Sequence, residues 1–398
     1  MSDDYSENIL VQEAAGNLLH DHLLKNTCGD HEVKLLNFDD ANRKYYSLLL
    51  IQNDCETLKQ ICLSIRDPIF SMGIIPYMAL FCRSVQEYLG TELINPEIDS
   101  EIYDIRNRIK VYGDKYGKGK KLFLLSDEKQ NDEFREKLRF EFTKSLNIHY
   151  NLGIYFDNRN HIIGNTQLYA DELHLNPLPD RERPQKAFLL GKNLASIIGS
   201  ISKGFEKTIP VPPILLHSEV PEFYYADLNT NTSRFFNDAY EKDVNLFMLH
   251  ILSNIGFVSY VLEPIAGKNN SWFFRIKYLV TYYSFLGIQR LKQHLENNTQ
   301  NGEEKLIQTL SQILNSHEYL FSSTLRNCMM HYDLVADGSF AISERFFDSQ
   351  KPLFGLVEEC FNGLSYDDFS NRLSDLSNQI ERILASQFSF SSLRVKKL

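Results

Sequence analysis

An arginine, an asparagine and a histidine fall within six residues at Arg326-Asn327-Cys328-Met329-Met330-His331. Together they carry the groups that metal-free cleavage of RNA requires. In RNA the 2′-hydroxyl is already tethered beside the phosphate it attacks. What remains is a proton acceptor, a proton donor and a cation for the phosphorane. Histidine suits either proton role, because its unperturbed pKa of about 6.5 lies near cellular pH. Arginine supplies a permanent charge in a planar fork that fits phosphate oxygens, and asparagine can orient either partner.

The spacing sets the geometry. Ser322-Ser323-Thr324 provides capping residues for a short helix that starts at Leu325. On such a helix Asn327 and His331 share a face, whereas Arg326 lies about 140° from His331 and must reach round from the first turn. Arg326 is the one arginine followed by a histidine after four to six residues. A non-catalytic reading stands beside this one: Leu325, Cys328 and Met329 face a core, His331 is an interior histidine, and Arg326 pairs with a carboxylate such as Glu318.

The elements that must position these residues are helical. Apolar residues at Val244, Phe247, Met248, Ile251, Ile255, Val258 and Leu262 fall three and four apart, predicting a helix over 237–265. Further helices are predicted over 271–296, 303–320 and 366–388. Asp367 and Asp368 sit at the start of the last, where the helix dipole favours negative charge. Four or five antiparallel helices with short connections make a bundle over 235–390.

With that architecture, Arg326-Asn327-x-x-x-His331 resembles the hallmark of the HEPN superfamily (higher eukaryote and prokaryote nucleotide-binding domains). That hallmark is Arg-x4-6-His on a late helix of a four- or five-helix bundle, usually with a polar residue after the arginine. The resemblance implies a metal-independent endoribonuclease, plausible as a prokaryotic toxin, antiviral-defence or stress effector, without a cofactor. It also implies a homodimer formed through the C-terminal bundle, in which two copies of the motif build one composite site. Other members of the superfamily are non-catalytic modules that bind RNA, nucleotide or protein, which is the alternative function. One branch carries a functional tyrosine two residues after the histidine. Asp333 stands at that position here, so no such role passes to Tyr332.

The first 230 residues read as a mostly helical α(+β) domain of no recognised type. Helices are predicted over 42–65, 78–89, 131–145 and 186–202, with a β-hairpin near 150–165 turning at Asp157-Asn158-Arg159-Asn160. Prolines 210, 212, 213 and 221, then Asn229 to Ser233, mark the expected domain boundary. For a toxic enzyme, the N-terminal domain is the expected seat of an inhibitory or activating partner. The stretch Arg106, Arg108, Lys110, Lys115, Lys118, Lys120 and Lys121 holds seven basic residues against one acid, Asp114. With Tyr112 and Tyr116 between them, these are weaker candidates for RNA contact; a solvated loop is the competing reading. Glu172-x-His174, Arg181-Glu182-Arg183 and the basic residues 394–397 are expected as surface features, the last as a frayed tail.

Composition sets outer limits. The 398 residues are 43% hydrophobic and 24% charged, as in a globular protein. A net charge of −10 argues against wholesale attraction to nucleic acid and leaves room for a local basic groove. Six cysteines without a C-x-x-C pair read as reduced thiols, and the eleven histidines form no zinc pattern, so no metal site is expected. The longest apolar run, Ile69 to Cys82, is 14 residues, short of the roughly 20 that a bilayer requires. A cytoplasmic, mainly α protein without a membrane segment is the expectation.

Overall fold

The computed structural model describes residues 38–90, 96–110, 122–136, 149–175, 178, 181–206, 220–297 and 304–398. The fold is mainly helical. Helix α1 (Phe38–Ser64) is followed by α2 (Pro68–Leu89), α3 (Pro96–Arg108) and α4 (Leu122–Glu136). Strands β1 (Leu152–Phe156) and β2 (Ile162–Asn165) lead into α5 (Thr166–Glu172) and α6 (Arg183–Glu206), and β3 spans Tyr224–Leu228.

Beyond these lie α7 (Lys242–Gly256), α8 (Ser271–Asn297), α9 (Glu304–His317) and α10 (Ser323–His331). A short hairpin of β4 (Val335–Ala336) and β5 (Ser339–Phe340) precedes α11 (Leu356–Cys360), α12 (Tyr366–Ala385) and β6 (Lys396–Lys397).

Local chemistry accounts for the ends. Asp67 caps α2 by accepting from the N–H groups of Ile69 and Phe70, with Pro68 at the first helical position. Gly90 closes α2 at φ 65°, a conformation that costs glycine nothing. Helix α2 begins ten residues before the expected 78–89 and carries Pro76 within it. Its buried positions run almost unbroken from Gly73 to Cys82, so there is no helical period for the sequence to display. By length and composition α2 and the segment Lys242–Ala266 could each cross a membrane, yet 78% and 83% of their most apolar windows are buried inside the fold.

The expected hairpin forms. β1 and β2 pair antiparallel, with Asp157 accepting from the N–H groups of Arg159 and His161 in the turn. The sheet runs β2-β1-β3-β6, all antiparallel. Its last strand corrects the expectation of a frayed C-terminal tail: Lys396 and Lys397 pair with Tyr225 and Tyr224. Two further surface assignments are corrected. Glu172 is buried, its carboxyl pushed up to about 8 by desolvation, and accepts from Asn254. Arg183 is buried and donates to Glu133.

Residues from both sides of position 230 belong to one hydrophobic core. Gly256 on α7 presses so closely on β2 that a Cβ would stand 1.8 Å from the Ile162 carbonyl oxygen. Asp127 on α4, fully buried, accepts from Asn151 and Thr230 and pairs with Lys242. The C-terminal helices therefore complete their packing on the N-terminal ones.

One buried assembly joins α1, α8 and α10. Arg275 is 2% exposed, and its Nε and both Nη atoms have no hydrogen-bond partner. Its charge is met by Asp54, 3.6 Å away, and by the ring of Tyr332, whose centroid lies 3.4 Å from the guanidinium carbon. The Tyr332 hydroxyl and Ser271 Oγ both donate to Asp54, at 2.5 and 2.6 Å. Desolvation pushes the Asp54 carboxyl up and the Arg275 guanidinium down. Each needs the other to stay charged.

Two outcomes follow. Asp54→Ala leaves Arg275 buried with no anion and should cost about 3–5 kcal/mol in urea unfolding, whereas Asp54→Asn, which keeps an acceptor for Tyr332, should cost less. Residues 235–390 expressed alone lack Asp54, β2 and the α2 contact, and should show no cooperative thermal transition by circular dichroism. A cooperative melt of that fragment would contradict the shared core.

Candidate functional site around His331

Ser322 caps α10 by accepting from the Leu325 N–H at 3.3 Å, so the serine-threonine run does start the helix, but at Ser323, two residues before the expected Leu325. Tyr332 ends it in the left-handed region at φ 58°, donating its N–H to the Cys328 carbonyl. A non-glycine residue there costs roughly 1–2 kcal/mol. The buried hydroxyl and ring contacts of Tyr332 hold it in place. His331 is thereby fixed one residue before a rigid anchor, and Ser84 of α2 secures the turn by donating to the Met330 carbonyl at 2.6 Å.

His331 Nδ1 lies 2.8 Å from Glu87 Oε2, and the His331 side chain is 40% exposed. Glu87 is shared: Arg83 Nε reaches its Oε1 at 3.0 Å and Arg106 Nη2 its Oε2 at 3.1 Å. An ionised carboxylate only accepts, so Nδ1 carries the hydrogen and Nε2 keeps its lone pair. Desolvation holds His331 below its usual 6.5; Arg106 and Lys110 act in the same direction, and Glu87 opposes them. Glu87 is pushed up by partial burial, but Arg106, His331 and Arg83 outweigh this and leave it below its usual 4.5. A neutral imidazole hydrogen-bonded to a carboxylate among cations is a proton acceptor at neutral pH.

The expected trio is only partly assembled. Asn327 is exposed. Arg326 is half-buried near Tyr278, with its Nε enclosed and unpartnered, and among the described residues it makes no ion pair, with Glu318 or any other carboxylate. The partner of His331 is instead Glu87 of α2, which Arg83 of α2 and Arg106 of α3 share.

The basic stretch divides. Arg106 is 4% exposed and committed to Glu87, while Arg108 pairs with Asp171 and His174. Lys110 is half-buried. Lys115, Lys118, Lys120 and Lys121 lie outside the described residues. Arg106 is therefore part of the site as an internal counter-charge, not as an exposed contact. Tyr103 adds an exposed ring whose centroid lies 5.3 Å from the Arg83 guanidinium.

Glu87 and Arg83 were missed from sequence. The available signal was an arginine and a glutamate four residues apart at the polar end of an otherwise apolar helix. Nothing local tied them to His331, 244 residues away in sequence. Among the described residues there is no group of three or more histidine, cysteine or acidic side chains that could hold a metal ion. No protein-family model, curated protein or solved structure matches the chain.

The site makes a titration prediction with a definite sign. The His331 imidazole should titrate below 6.5, followed by NMR of its ring protons. Because the Glu87 carboxylate raises the value, Glu87→Gln should lower it further. Folded-state depression also means that this pair stabilises the fold less as pH falls below 6.5, and less again as Glu87 protonates. A midpoint above 6.5, or a rise in Glu87→Gln, would contradict the geometry.

Proposed function

We propose that the protein is a metal-independent endoribonuclease of HEPN type, its active site centred on His331. The observation that carries the reading is His331 itself: Nδ1 is held by Glu87 beside Arg83 and Arg106, and the ring remains open to solvent. That is the arrangement of an oriented general base near phosphate-attracting charge. The Arg326-Asn327-x-x-x-His331 resemblance supplies the reaction class.

In this reading His331 Nε2 takes the proton of a 2′-hydroxyl. The 2′-oxygen bonds to phosphorus, the bond to the 5′-oxygen breaks, and that oxygen receives a proton. The products are a 2′,3′-cyclic phosphate and a 5′-hydroxyl. One chain offers one histidine here, so the acid is the His331 of a second copy, and the active form is a homodimer joined through the C-terminal bundle. Arg83 and Arg326 are the cations near enough to the surface to meet the phosphorane, while Arg106 sets the charge state of Glu87. Asn327 lies exposed on the same helix and orients the substrate. A toxin or defence role, with the N-terminal helices receiving a regulatory partner in the cytoplasm, is the setting this activity suits.

A second reading is a non-catalytic RNA-binding module. It is favoured by the enclosure of Arg326 Nε, which has no hydrogen-bond partner.

Purified protein incubated with total RNA in EDTA separates the two. The nuclease leaves 2′,3′-cyclic phosphate ends. His331→Ala should lower the rate by about 100-fold or more, Glu87→Gln by a smaller factor, and Phe188→Ala, exposed on α6, not at all. RNA retention without cleavage, unchanged in His331→Ala, would establish the module instead.

A further inference from the structure

A second cluster lies on the β1–β2 turn, away from the elements that build the His331 site. The Asp157 carboxylate holds the turn and also accepts from His161 Nδ1 at 2.8 Å. By the same acceptor-only argument the hydrogen sits on Nδ1, and the acceptor of the neutral ring is Nε2. The imidazole stacks on Tyr260, with ring centroids 3.8 Å apart and planes 8° from parallel. Tyr260 belongs to a π-helical segment, Phe257–Leu262, that follows α7. Such wide turns concentrate at functional sites, because the extra residue re-aims a side chain. Here it sends the Tyr260 hydroxyl to Glu381 Oε2 on α12.

Glu381 is 8% exposed, and its second oxygen, Oε1, accepts no hydrogen bond from the described residues. His161 and Glu381 both line a cavity of about 490 Å³, whose other walls include Phe156, Ile162, Leu252 and Phe390. The cavity thus presents two acceptors against apolar and aromatic walls, a common format for small-molecule recognition. Arg159 and Arg382 lie near the cluster, but neither is among the lining residues.

We propose that this cavity binds a small organic cation, an ammonium or amidinium head on an apolar body. The head lies between Glu381 Oε1 and His161 Nε2, and the body against Phe156, Ile162, Leu252 and Phe390. A cation answers both acceptors, whereas an anion would face the lone pairs of Glu381 Oε1 and His161 Nε2. Burial holds the Glu381 carboxyl above its usual range, and a cationic head beside it would offset that cost. The site is independent of the nuclease reading.

Calorimetric titration of the full chain with 2-phenylethylammonium tests it, with neutral 2-phenylethanol as the isostere. The expected result is one saturable site with Kd of about 1 mM or tighter, and weaker binding of the alcohol. Glu381→Gln should weaken cation binding by about tenfold or more, and Ala385→Trp, filling the cavity from α12, should abolish it. Far-UV circular dichroism checks that both variants fold. No saturable binding, equal binding of the alcohol, or wild-type affinity in a folded Ala385→Trp each overturns the proposal.

Discussion

A guanidinium with no hydrogen-bond partner, sealed in the interior, is the constraint on which the rest of this structure depends. Arg275 carries five N–H donors, and its three nitrogens are all enclosed without an acceptor in hydrogen-bonding range. Its charge is tolerated because the Asp54 carboxylate and the face of Tyr332 flank it. Those two are themselves joined, through the Tyr332 hydroxyl. Removing Asp54 or Arg275 leaves the other buried without its counter-charge, the costly half of the buried-ion asymmetry. The three residues come from α1, α8 and the end of α10, so electrostatic balance requires those elements to meet.

The consequence for the His331 site is geometric. Tyr332 adopts a left-handed backbone that only a firmly held non-glycine residue keeps, and the residue before it is His331. Position and direction of the imidazole thus descend from a network that never touches it. Glu87 then selects the tautomer, and Arg83 and Arg106 keep Glu87 charged. Precision reaches the surface from the core, where side chains cannot wander.

Much of this was legible in the chain. The helices around 271–296, 303–320 and 366–388 show apolar residues three and four apart because each leaves part of its surface exposed. The segment 237–265 shows the same spacing although Asp243 to Gly256 is buried throughout, because polar residues such as Asn245, His250 and Ser253 interrupt it. Ser322 announces the start of α10, and the alternation near 150–165 announces the hairpin. Helix α2 was half hidden: surrounded on most sides, it has no polar stripe, and Gly73 and Pro76 read as breaks. The C-terminal strand was invisible, since Lys396 and Lys397 join the sheet by backbone hydrogen bonds that no side-chain pattern records.

For the candidate site the division is sharper. The amino-acid order alone determined that an arginine, an asparagine and a histidine share one capped helical turn, and that most neighbouring elements are helices. Tertiary structure decided the company they keep. Arg326 lies near Tyr278, and His331 found Glu87, 244 positions earlier. Helical periodicity fixes which residues share a face. Which carboxylate waits opposite depends on how distant helices pack, and that is set by burying Arg275 with Asp54 and Tyr332.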